Sequence, residues 1–257
     1  MAMATTPCWR KAIENALFAH SKSVVIQLAS IDPNSPIPHV RSHIFRSFLT
    51  SKKNPESERL PLILTTTDIR TPKVKQIIEN SHVEIAWWIE GTQEQFRISG
   101  IASVIPARDH PLYKYFEDAI KVAEPSSGLR KIVGENGTDF DWEEKRGEVF
   151  ATMSPYAKAG WCRPAPGSLL TGGEEEAKKW PVRVEKPGDE KSEDGKEVSE
   201  EEKAKNKKNW ETALGNFAVM IVDPTEVDYV EVGVFPNRRT KFWRNERGFW
   251  EESPLVP

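Results

Sequence analysis

Apolar runs rich in β-branched residues, each closed by a turn signal, restrict the fold of this chain more than any other feature. SVVIQLASI (23–31), HVRSHIFRSF (39–48), LPLILTTT (60–67), VEIAWWI (83–89) and EQFRISGIASVI (94–105) read as strands. DPNSPIP separates the first two, and Glu90-Gly91-Thr92 makes the turn between the last two. Far downstream, FAVMIVD and EVDYVEVGVF read as two more strands with Pro224 in the turn between them, and FWRNERGFW as a hairpin around 245–248. Helical patterns fall only between strands. One follows Thr6-Pro7, read as N-cap and first helical residue, with Ala12, Leu17 and Phe18 facing inward. A second opens at Thr71-Pro72, and two more lie in HPLYKYFEDAIKVA and DWEEKRGEVFATM. This order predicts an α+β fold, a mostly antiparallel β-barrel with flanking helices, with the strands on both sides of the long interval in one barrel.

Within 257 residues, the stretch 174–209 carries both charges at high density with almost nothing apolar. It cannot bury enough surface to offset its ordering entropy, so a disordered or loosely helical insertion is expected inside a single domain covering 1–257. Hydrophobic residues are 38% and charged residues 29%, the values of a soluble protein. A net charge of −3 gives no general attraction to nucleic acid or anionic membrane, so any phosphate site must be local. No apolar run approaches the ~20 residues that span a bilayer, and the N-terminus lacks a secretory pattern, so a cytoplasmic location is expected. Cys8 and Cys162 are too few for a disulfide framework or a cysteine metal site. His39 and His43 share a strand face, but without a carboxylate or cysteine nearby no metal site is expected.

The stretch TTTDIRTPK (65–73) concentrates the remaining chemistry. Free amides at a helix N-terminus, threonine hydroxyls and the cations Arg70 and Lys73 are the ingredients of a phosphate site, although Thr71 also reads as a plain N-cap. Further cations recur in the strands: Arg41 and Arg46, Arg97 beside Gln95, and Arg238, Arg239 and Lys241 before the last hairpin. A charged residue in a strand most often faces solvent, but their recurrence at strand ends makes a shared anion a candidate. Nucleotide-binding glycine loops and a Gly-x-Ser-x-Gly elbow are missing, which argues against Rossmann, P-loop and α/β-hydrolase chemistry. Trp87-Trp88 puts one ring on each face of its strand.

Three blocks, RSHIFRSF, TDIRTPKVKQIIEN and EQFRISG, resemble the pyridoxamine 5′-phosphate oxidase family, FMN-binding split-barrel flavoproteins, and in particular its plant, fungal and cyanobacterial oxidase-like branch. The resemblance implies an FMN-binding split β-barrel and a homodimer with FMN at the interface. It places Arg41 and Ser42 on the first FMN-binding strand, with Arg41 reaching the phosphate, and Arg46 at its end, serving flavin and substrate. Thr66 and Thr67 fall at the flavin, and Thr71 and Lys73 in the phosphate loop. Pro72 stands where the oxidases carry arginine, and Arg70 is the candidate to supply that guanidinium. Gln95, with Arg97 beside it, falls at the flavin ring edge. Ser154, Phe217 and Lys241 are further candidate cofactor contacts, and Arg238 and Arg239 candidate substrate contacts.

What the resemblance implies is an oxidase of pyridoxamine or pyridoxine 5′-phosphate, passing hydride to FMN and then to dioxygen to give hydrogen peroxide. The substrate-phosphate trio of the oxidases has no clear match here. The alternatives are therefore an FMN-dependent reductase of another small molecule, driven by a nicotinamide donor, and a non-catalytic flavin-binding or interaction module. No catalytic side chain is assigned, and no metal, nucleic acid or membrane partner is expected.

Overall fold

The computed structural model describes residues 6–190 and 198–257. Helix α1 (Cys8–Ala19) leads into strands β1 (Val25–Ile31), β2 (Pro38–Ile44) and β3 (Ser47–Leu49). A short 3-10 turn (Pro55–Arg59) precedes β4 (Leu62–Asp68), α2 (Pro72–Glu79), β5 (His82–Ile89) and β6 (Glu94–Ile105). Helices α3 (Tyr113–Val122), α4 (Gly128–Val133), α5 (Trp142–Thr152), α6 (Pro155–Gly160), α7 (Gly173–Ala177) and α8 (Glu200–Asn216) follow. The chain closes with β7 (Phe217–Glu231), β8 (Arg238–Arg244) and β9 (Trp250–Leu255). All pairings among the described strands are antiparallel, in the order β2-β1-β5-β6-β7-β4-β3, with β8 on β7 and β9 on β8. The sheet curls until the Arg46 N–H reaches the Leu64 carbonyl at 2.9 Å, without closing into a continuous ladder. It is an α+β split barrel.

Two departures from the expected strands have a steric cause. HVRSHIFRSF breaks into β2 and β3, because the chain turns at Phe45-Arg46 to cross from β1 to β4. FAVMIVD and EVDYVEV merge into the single strand β7, with Pro224 inside it instead of in a turn. Gly100 pairs with Pro224 and Ser99 with Glu226, so Thr225 is one extra residue on β7. Its hydroxyl donates to the Ser99 carbonyl at 3.2 Å. A bulge is where proline is tolerated within a sheet. Gly100 is required there, since a Cβ would lie 2.5 Å from the Asp223 carbonyl oxygen.

What covers the sheet differs between its two faces and along β6 and β7. The inner sheet face packs with α1 and α2 around Trp9, Ile13, Leu28, Ile63, Ile77, Trp87 and Phe96. Beyond the bulge, the outer face of β6 and β7 (Ile105, Val219, Ile221) is covered by α3, α4, α5 and α8 through Phe116, Ile132, Trp142, Phe150 and Ala213. Helix α1 starts one residue later than expected, with Pro7 at its N-cap, and buries Trp9, Ile13 and Ala16. Phe18 is therefore exposed instead of inward.

The described parts of 174–209 include most of α7 and the first turns of α8. Ser199 and Glu202 form a reciprocal capping box that starts α8, an S-x-x-E pattern legible in the sequence. Val184 is buried, its N–H reaches the Pro155 carbonyl, and the Asn206 amide bonds both backbone groups of Glu185. Residues 191–197, also within that stretch, lie outside the described residues. Among the described residues no helix is long and apolar enough to cross a membrane, and no His/Cys/Asp/Glu group could hold a metal. Cys8 and Cys162 are free thiols.

Arg244 and Asp223 form a buried ion pair behind the bulge, and the Asp223 carboxylate also accepts the Leu129 N–H of α4. Removing one partner strands the other charge in the core, so Asp223→Ala should lose about 3–5 kcal/mol of stability in urea unfolding. A loss below about 1 kcal/mol would show that water reaches Arg244.

Candidate functional site

The mouth of the barrel, where β1, β2 and β4 meet α2, gathers two cations, Arg41 and Lys73, that form no ion pair among the described residues. Alternation on β2 turns Arg41 and His43 inward, and Val40, Ser42 and Ile44 outward. Arg41 donates to the Ser30 hydroxyl at 2.6 Å, to the Leu28 carbonyl at 3.2 Å and to the Gln76 side-chain oxygen at 3.1 Å. The buried Ser30 hydroxyl donates in turn to the same Gln76 oxygen at 2.7 Å. One strand residue and one helix residue thus fix the guanidinium before any ligand arrives.

Helix α2 brings Lys73. Its ammonium donates to the Thr71 hydroxyl at 3.1 Å, and that hydroxyl lies 3.5 Å from the Thr67 hydroxyl. Thr71 donates to the Asp68 carbonyl at 2.8 Å instead of capping the helix, and no acidic residue lies in the first turn. The positive end of the helix dipole is therefore uncompensated from within. Neither Arg41 nor Lys73 makes an ion pair among the described residues. Burial, and then the Arg41 charge, push the Lys73 ammonium down to about 8, with Asp68 opposing.

His43 completes the group. Its Nδ1 lies 3.3 Å from the Thr65 hydroxyl, while Nε2 is buried without a partner. Burial, followed by the charges of Lys73 and Arg41, pushes the imidazole down to about 4, against the Thr66 backbone. These groups fit a phosphate: two half-buried cations lacking a counter-ion, an uncapped helix start and an orphaned imidazole nitrogen.

The remaining residues expected at the site divide. Arg70 does not join the group: it grips the Asp68 carboxylate at 2.9 and 2.6 Å and donates to the carbonyls of Arg163 and Trp161. It ties the β4–α2 turn to the loop after α6, so Asp68, two residues away, has neutralised the guanidinium expected beside Pro72. Thr66 points to the opposite face of β4 from Thr65 and Thr67. Arg46 is exposed at the β2–β3 turn. Ser154 is exposed and caps α6 by accepting the Ala157 N–H. Phe217 is fully buried among Phe150 and Trp161, a core residue with no open face.

Ser42, Gln95, Arg97, Arg239 and Lys241 all lie on the outer face. Register carries one row from Ser42 through Gln27, Ala86, Arg97 and Asp228 to Lys241. A neighbouring row runs from Trp88 through Gln95 and Val230 to Arg239. Asp228 binds both Arg97 and Arg239, which depresses its own carboxyl. Lys241 pairs with Glu226 at 2.9 Å and Arg238 with Glu231 at 3.1 Å. The expected site residues thus form two groups on opposite faces of one sheet.

Sequence reasoning did not include Ser30, His43, Thr65 or Gln76 in the site. Two signals were available: His43 stands two residues after Arg41, hence on its face, and Gln76 one helical turn after Lys73.

Residues 6–106 match the FMN-binding domain of the pyridoxamine 5′-phosphate oxidase family. A pyridoxine/pyridoxamine 5′-phosphate oxidase 2 of Arabidopsis thaliana is 32% identical over 102 residues, 38% of this chain and 47% of that protein. The chain thus spans about half the length of this curated relative. Among solved structures, a pyridoxamine 5′-phosphate oxidase-related, FMN-binding protein of Nostoc punctiforme superposes with a TM-score of 0.65 at 22% identity, over 98% of this chain and 100% of that one. PhzG of Burkholderia lata, in complex with tetrahydrophenazine-1-carboxylic acid, gives 0.55 at 14% identity, over 97% and 90%. Both likenesses show the fold. The segment matched to that FMN-binding domain runs from α1 to the end of β6, and over it this chain is similar to the pyridoxamine 5′-phosphate oxidase family.

Proposed function

We propose that this protein is an FMN-dependent oxidoreductase whose inner-face group holds the flavin phosphate, and that it oxidises pyridoxamine or pyridoxine 5′-phosphate. The observation that carries this reading is the pair Arg41 and Lys73, half-buried, pre-positioned and lacking a counter-ion. A phosphate dianion offsets their mutual repulsion, Arg41 offers a planar fork, and the Thr67 and Thr71 hydroxyls add donors. Bound FMN would supply the redox chemistry, taking two electrons from substrate and passing them to dioxygen as hydrogen peroxide. The chain's own part is to bind, orient and exclude water.

The two-faced division of the site supports a homodimer. An FMN phosphate held on the inner face cannot also place its ring against Gln95 and Arg97 on the outer face of the same sheet. A second copy can bring that face to it. The outer face is built for contact, with Val25, Ile31, Val40, Ile44 and Trp88 all exposed. Arg46, exposed near the same edge, is then a candidate contact for flavin and substrate.

One observation favours a second reading of the substrate. Arg97 and Arg239 share Asp228, so a substrate phosphate approaching them competes with a carboxylate already in place. A small molecule without a phosphate, reduced or oxidised at the same flavin, meets no such competition.

Four outcomes are expected. Replacing Arg41 and Lys73 together by alanine should weaken FMN binding about 100-fold or more while changing riboflavin binding little, read by flavin fluorescence. Affinity for FMN should fall as pH rises through about 8, because Lys73 then loses the proton that the phosphate requires, and Lys73→Arg should remove that alkaline limb. FMN-loaded protein should release peroxide with pyridoxamine or pyridoxine 5′-phosphate; silence with both, alongside anaerobic flavin bleaching by NADPH, would favour the reductase. For the dimer, Val40→Asp on the exposed face should give monomers in sedimentation, and an unchanged dimer would place the interface elsewhere.

A further inference from the structure

We propose that His43 is a third phosphate-directed residue, its Nε2 meeting the FMN phosphate beside Arg41 and Lys73. The inference rests on the phosphate reading above and adds to it a residue that neither the motif nor the loop identifies. Four observations converge on it. His43 projects from the same face of β2 as Arg41, two residues along. Its Nδ1 lies against the Thr65 hydroxyl at 3.3 Å, which orients the ring. Its Nε2 is buried and has no hydrogen-bond partner. The charged groups acting on the ring are Lys73 from α2 and Arg41 from its own strand, both cations, and β4 offers only Thr65 and the Thr66 backbone.

A buried imidazole between two cations is a costly choice for filling space, because an unpaired polar nitrogen loses its water and gains nothing. Leucine would fill the same volume without that penalty. An arriving dianion reverses the balance. It gives Nε2 an acceptor and changes the sign of the local field, so the ring can donate either as neutral imidazole or after taking a proton.

The experiment compares FMN and riboflavin dissociation constants, by flavin fluorescence, for the wild-type protein, His43→Leu, His43→Gln, His43→Asn and Arg41→Ala. His43→Leu should lose about 10- to 100-fold in FMN affinity, the range of one hydrogen bond to a charged group, with riboflavin unchanged. His43→Gln should recover most of the loss, since its amide nitrogen reaches the position of Nε2. His43→Asn should not, since its amide reaches only the position of Nδ1. In the wild-type protein, the His43 Nε2 resonance should shift on adding FMN and stay in place on adding riboflavin, which decides the matter even if a variant fails to fold. Equal losses for both flavins, or none, in His43→Leu would overturn the proposal and leave His43 a packing residue. If Arg41→Ala also leaves the FMN-to-riboflavin ratio unchanged, the phosphate reading itself fails.

Discussion

The antiparallel ladder between β6 and β7 is the constraint on which the other parts depend. It runs the full 12 residues of β6 against the 15-residue β7, and its one irregularity, at Gly100 and Thr225, shifts the alternation of β7 by one residue while β6 alternates unbroken. On one side of that bulge the outer face is apolar and roofed by helices; on the other it carries Gln95, Arg97 and Asp228 and is bare. The same strand pair therefore supports a helical core and an exposed polar face.

The proposed phosphate site lies where stability is given up. Arg41 and Lys73 repel one another in a half-buried setting, His43 hides an unsatisfied nitrogen, and α2 begins without a cap. A fold optimised for stability alone would place a carboxylate among them, as it does with Asp68 for Arg70 and Asp228 for Arg97 and Arg239. Its omission at one place, with acidic partners supplied at the others, is the ground for proposing a phosphate grip there. Ser30 and Gln76 hold Arg41 in its binding geometry in advance, which lowers the ordering cost when the anion arrives.

Much of this was legible in the sequence, for local reasons. The stretch TTTDIRTPK reads as strand, turn and helix start, and Thr67, Thr71 and Lys73 do meet there, because adjacent residues at one junction cannot move far apart. Strands with β-branched alternation appear where expected. What the sequence does not show depends on distant partners: Arg70 is held by Asp68 and two carbonyls 91 and 93 residues away, and Phe217 sits in an aromatic core. Pro224 read as a turn because the glycine that accommodates it lies on another strand. Val184 and Asn206 make tertiary contacts in a stretch whose composition alone reads as disordered or loosely helical.

The central claim is that one flavin site draws its phosphate grip from the inner face of one copy and its ring contacts from the outer face of another. Mixing two defective variants tests this directly, one lacking Arg41 and Lys73, the other lacking Gln95 and Arg97. Heterodimers would contain one site with both intact halves, so the mixture should recover FMN binding that neither variant shows alone. Recovery that fails after subunit exchange has been verified would contradict the shared site and place the whole flavin within one copy.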